Sequence, residues 1–201
     1  MGHDRLDALD AALSWVDDEW LVLYCVTGVR SGDTESMFAA VEADFSDGLI
    51  LNADEAAAAA ASRGVRPVRI ALSGEWSVLI ELDSMLGAKE KGYTALSRGT
   101  DAVVVHASEG SGLVRYVRDG EDISTFEPIS PSFRYGREPD RFVESMHAAG
   151  LLPENDEFAG IGVKVLKFVA AEFGLVLSRE VVFDHAWPTA FVPRFRQRGS
   201  S

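Results

Sequence analysis

Apolar residues recur every third or fourth position at the start of the chain: Leu6, Leu9, Leu13 and Val16, with Asp4, Asp7, Asp10 and Asp17 largely elsewhere. That spacing predicts a helix with one apolar stripe. Residues 20–27 follow as a nearly unbroken apolar run rich in Val and Leu. Such a run fits a strand buried on both faces, or a continuation of the helix. Residues 28–33 are turn-like, and Asp33 is suited to cap a helix carrying Met37, Phe38 and Val41. Asn52 and Glu55 form a capping box ahead of an alanine run over residues 56–61, which Gly64 stops.

From Val65 the period changes to two. Val68, Ile70 and Leu72 alternate with Arg69 and Ala71, Ser73-Gly74 turns the chain, and Trp76, Val78, Ile80 and Leu82 alternate with Ser77, Leu79 and Glu81. This predicts a hairpin. Residues 89–98 are a short helix candidate, and residues 101–107 a valine-rich strand. Two further strands, 114–118 and 123–126, flank Asp119-Gly120, a dipeptide fitted to a tight turn with positive φ at both residues. After Phe126, Pro128, Pro131, Gly136 and Pro139 predict a crossing loop, and Pro139 suits the first turn of a helix carrying Phe142, Val143 and Met146. Phe158, Ile161, Val165, Val169 and Phe173 mark a longer helix that stops at Gly174. The pattern predicts an α+β fold: a mostly antiparallel sheet of five to six strands with helices packed mainly on one face. One domain is expected over residues 1–185, with an extended arginine-containing tail over 186–201 that bears Arg194, Arg196 and Arg198.

Composition narrows the function. With 201 residues and 47% hydrophobic positions the chain is long enough for one sizeable core. The net charge is −13, and residues 1–63 alone hold 13 acids and 3 bases. A surface this negative repels phosphate backbones and anionic membranes, so neither nucleic acid nor a membrane is an expected partner. It would instead steer a protein with a basic face. There is no apolar block of secretory or membrane-spanning length, and Cys25 is the single cysteine; a soluble cytoplasmic protein without an internal disulfide is expected.

Reactive signatures are sparse. The chain has no phosphate-cradling glycine loop and no Gly-x-Ser-x-Gly elbow. Its four histidines are far apart, and the Glu144–His147 spacing occurs once, where a di-iron bundle needs it twice. No metal and no cofactor are expected, and no catalytic residue is assigned. Cys25, in an apolar segment, reads as a buried structural thiol. Glu81 ends a strand, as a ligand acceptor or as the partner of an arginine such as Arg69. The densest polar-aromatic group is Phe133-Arg134-Tyr135-Gly136-Arg137 in the proline-punctuated loop, a composition common at binding surfaces. Arg98, in Leu96-Ser97-Arg98-Gly99-Thr100, caps a helix end or reaches an acidic partner.

Several of these stretches occur in a recognisable order: Gly74-Glu75-Trp76-Ser77-Val78 through Glu81, then Leu96-Ser97-Arg98-Gly99-Thr100, Thr125-Phe126-Glu127-Pro128, Arg134-Tyr135-Gly136 and Pro139-Asp140. Over residues 20–184 the order resembles an uncharacterised domain family of high-GC Gram-positive bacteria. The resemblance implies a compact α+β domain in a bacterial cytoplasm and names no chemistry. Asp83-Ser84-Met85-Leu86 departs from the shorter glycine-containing turn usual in relatives. The candidate binding residues are therefore Arg98, Arg134, Tyr135, Arg137, Trp76 and Glu81. Two functions fit them. One is a non-catalytic protein-binding module, immunity-like or an accessory subunit. The other is a sensor or enzyme for an anionic small molecule, with Arg98, Arg134 and Tyr135 lining its pocket and Arg137 beside them.

Overall fold

The computed structural model describes residues 3–17, 23–108, 111–152 and 159–194, with side chains from residue 8 onward. Its frame is one antiparallel sheet of nine strands in the order β2-β9-β3-β4-β1-β5-β6-β7-β8. In chain order these are β1 (Tyr24–Arg30), β2 (Asp44–Leu51), β3 (Val65–Ser73), β4 (Trp76–Glu81), β5 (Asp101–Ser108), β6 (Ser111–Arg118), β7 (Glu121–Glu127), β8 (Ser130–Tyr135) and β9 (Trp187–Pro193). The helices are α1 (His3–Leu13), α2 (Thr34–Ala40), α3 (Ala53–Arg63), α4 (Glu90–Leu96), α5 (Val143–Ala148) and α6 (Ile161–Phe173). None among the described residues is long and apolar enough to cross a membrane.

Nine strands correct the expected five to six. The three additional ones lie where breakers or polar residues mask the period. β2 is an acidic edge strand whose register shifts between Asp44 and Leu49, and Gly48 within that interval has φ +59. β8 is the other edge and carries Pro131, a residue that a sheet tolerates best at its margin. β9 occupies part of the segment expected as a tail. It lies between β2 and β3, with Pro188 paired to Ile50 and Pro193 to Val65. Phe195, Arg196 and Arg198 lie outside the described residues, as do residues 20–22 of the first apolar run and Phe158 of the expected long helix.

Local signals act as their chemistry requires. Asp33 accepts the Ser36 N–H at 2.9 Å and caps α2; Asn52 and Glu55 exchange side-chain-to-backbone bonds of 3.0 Å at the start of α3. Asp119 and Gly120, at φ +47 and +78, turn β6 into β7. The central strands are buried on both faces. On the first face, Val26, Trp76, Val103, Val114 and Phe126 pack beneath α6, where Phe126, Phe142, Phe168 and Phe173 meet largely edge to face. On the second, Val29, Leu79 and Ala102 pack with Met37 and Phe38 of α2 and Leu96 of α4.

Candidate functional site

Among the described residues, the polar side chains buried in this sheet fall into two classes: those whose bonding capacity is met, and those, Arg69 and His106, that keep a buried nitrogen without a partner. Glu81 belongs to the first. It is fully buried on the second face, where it accepts hydrogen bonds from Ser84 Oγ at 2.5 Å, Leu86 N at 2.7 Å and Gly87 N at 2.8 Å. Burial raises its carboxyl above the ordinary value, and these three donors pull it back. Glu81 thus pins the loop that follows β4. It does not pair with Arg69: Arg69 stands opposite Ile80 in the β3–β4 register, which puts the arginine and Glu81 on opposite faces. Cys25, also fully buried, has its thiol pushed well up by burial and then by Glu81.

Arg115 is a second satisfied group. Its Nε lies 3.0 Å from Asp122 Oδ2 and donates to Thr125 Oγ1 at 3.1 Å, while Nη1 donates to the Ala88 carbonyl and Nη2 to the Tyr135 hydroxyl. The Tyr93 ring lies 4.2 Å from its guanidinium carbon. Tyr135 is therefore a rim of this cluster.

The remaining sequence candidates are dispersed. Trp76 is a core residue, with Nε1 donating to the Phe173 carbonyl at 3.0 Å and Arg30 stacked on its ring. Arg134 donates to Asp140 and to the Pro131 carbonyl, and Arg137 pairs with Glu121 at 2.7 Å. Arg98 is exposed and borders an open cleft beside α2, whose lining includes neither Arg134 nor Tyr135. The arginines expected to share one cavity do not share it. Glu144 and His147 are exposed on α5, and among the described residues no three His, Cys, Asp or Glu side chains converge as metal ligands.

Arg69 is the charged member of the second class. Strand alternation directs Val68 and Ile70 to the second face and Arg69 to the first, where α3 and a π-helical turn at Glu180–Asp184 cover it. Only 2% of the residue is exposed. Its Nη2 donates to the Val182 carbonyl, and among the described residues its buried Nη1 has no partner. Burial lowers its pKa from the ordinary guanidinium value to about 10, opposed by the charge of Asp54. The same side chain lines a pocket of about 210 Å³, walled by Ala53, Ala57 and Ala60 of α3, Ile80, Leu82 and Phe183. The pocket also borders Asp54, Asp83 and Arg194, all exposed; Asp83 is 3.3 Å from Arg66 and 4.0 Å from Arg194. The alanine run matters here, because a wall of methyl groups leaves room that larger side chains would fill. The sequence reading gives Arg69 only as a possible partner of Glu81, not as a binding residue. Its neighbours across the sheet are Ile80 and Thr189, pairings that spacing along the chain does not reveal.

No curated protein and no solved structure matches the chain. A family model does match residues 10–177, a span that includes Arg69 and the α3 wall but neither the π-helical turn nor β9. The chain belongs to the family of unknown function DUF6461.

Proposed function

We propose that this protein is a binding protein for a small anionic ligand, which it takes up in the pocket between α3 and β3. One observation carries the reading: a buried guanidinium with an unpartnered nitrogen borders a cavity. An unpaired buried polar group is costly, and such costs concentrate where a ligand completes the bonding. The contrast with Arg115, whose three nitrogens are all engaged, supports it. The reading keeps the anionic-ligand alternative drawn from the sequence but moves it from Arg98, Arg134 and Tyr135 to Arg69. It sets the protein in a bacterial cytoplasm, of the high-GC Gram-positive type its motif order resembles.

Thermal-shift screening against acidic metabolites tests this. A ligand at 100 times its Kd adds about 2.7 kcal/mol of stability, which for a chain of this size raises Tm by roughly 5–10 °C. The expected result is such a rise in the wild type and its loss in Arg69→Met. A flat panel, or a rise that survives Arg69→Met, overturns the reading.

A specific observation favours a second reading, the protein-binding module. Residues 33–55 contain seven acids and no base, and all seven acids are exposed along α2, the edge strand β2 and the start of α3. A basic partner would be attracted to that edge. Reversing Asp44, Asp47, Asp54 and Glu55 to lysine should abolish capture of a stoichiometric partner from host lysate at low salt; unchanged capture removes this reading.

A further inference from the structure

The chemistry of the pocket also limits what the anion is. Resting on the ligand-binding reading above, we infer that the site takes an aliphatic monocarboxylate of about five carbons. Charge is the first constraint. The pocket has one buried cation, Arg69, while at its border the exposed Asp54 and Asp83 stand against the exposed Arg194, with Asp83 already near Arg66 and Arg194. A single negative charge is matched by Arg69. A second would lie unmatched, close to the two aspartates. Phosphate monoesters and dicarboxylates are disfavoured for that reason.

Donor geometry points the same way. A guanidinium has five N–H groups in a planar fork, and carboxylate oxygens fit two parallel ones. In Arg69, Nη1 keeps both of its N–H groups unpartnered, while Nη2 spends one on Val182. The guanidinium thus retains donor capacity that a carboxylate can accept. The walls set the rest of the ligand. Ala53, Ala57, Ala60, Ile80, Leu82 and Phe183 offer hydrocarbon alone. At the roughly 30 Å³ that a water-sized atom occupies in a liquid, about 210 Å³ holds about seven non-hydrogen atoms. A carboxyl group and four further carbons fill that number. Nucleotides exceed it several-fold.

Isothermal titration calorimetry on the full chain decides the matter, with isovalerate as the probe and isopentanol, isopentyl phosphate and glutarate as its comparators. Isovalerate should bind at least about tenfold more tightly than each comparator, the loss expected when a charge-assisted bond pair is removed or a second charge is left unmatched. Arg69→Met should weaken isovalerate by a similar factor. So should Ala57→Leu, which narrows the pocket from an exposed helix position and leaves the guanidinium intact. If isopentyl phosphate or glutarate binds more tightly than isovalerate and still depends on Arg69, the carboxylate assignment is overturned and the anion pocket stands. If no anion binds the wild type, or binding is unaltered in both variants, the pocket reading itself fails.

Discussion

Replacing Arg69 by methionine should leave the fold's stability almost unchanged, although the side chain is among the most buried charged groups in the protein. The lowering of its pKa from the ordinary guanidinium value to about 10 disfavours the charged form in the fold by about 3 kcal/mol. Methionine removes that penalty and keeps an unbranched, adaptable chain in the same space. Against this gain stands the hydrogen bond to Val182, about 1.5–3 kcal/mol for a charged donor. The two contributions nearly cancel, and Arg69→Met should fall within about 1 kcal/mol of wild type. Arg115→Met should behave differently, because it strips Asp122 of its cation and leaves Thr125, Ala88 and Tyr135 without their donor. Breaking a buried pair costs about 3–5 kcal/mol, and since Asp122 keeps some contact with solvent at least about 2 kcal/mol is expected. Urea denaturation at pH 7, followed by circular dichroism, reads both. With a slope near 2 kcal/mol per M, the Arg69→Met midpoint should move by less than about 0.5 M, and the Arg115→Met midpoint by about 1 M or more. Equal losses in the two variants would show that Arg69 is a structural arginine, and the argument for a ligand would collapse with that result.

Glu81 supplies a second test: Glu81→Ala leaves two backbone N–H groups and Ser84 without an acceptor and should cost about 3 kcal/mol in the same assay. Because burial raises the Glu81 carboxyl, its contribution is greatest below about pH 4.5, where both folded and unfolded forms are protonated, and falls as pH rises through the folded-state value. The stability gap between wild type and Glu81→Gln should therefore narrow from pH 4 to pH 7; a widening gap contradicts the dominance of burial. A chain ending at His185 lacks β9 and should fail to give a cooperative thermal transition, whereas one ending at Arg194 should retain it. A normal transition in the shorter chain would mean that the sheet tolerates loss of an inner strand.

The legible parts of this fold are those decided by neighbours in sequence. Asp33, the Asn52–Glu55 box and Asp119-Gly120 act through atoms two or three residues away, so residue type and spacing suffice to read them. The hairpin of β3 and β4 and the valine-rich β5 follow from apolar period alone. The strands that escaped reading depend on distant partners. β9 pairs with β2 and β3 across more than a hundred residues, and its prolines mimic loop chemistry. β2 and β8 are edges, where half-exposed polar positions weaken the alternation. The candidate site was hidden for a related reason. Alternation in β3 suggests one face toward solvent, but α3 and the π-helical turn close over that face and bury Arg69. Conversely, Arg134 and Arg137 looked convergent in sequence because they are close in it, and each proved to hold its own acidic partner.

The position of β9 also bears on how the protein is made. The strand that joins β2 to β3 is synthesised more than a hundred residues after β3, which waits through that interval with one edge lacking its partner. Pairings this remote form slowly, and open edges invite wrong ones. The nascent chain therefore depends on delayed closure, and chaperone occupancy on the ribosome should persist until β9 emerges.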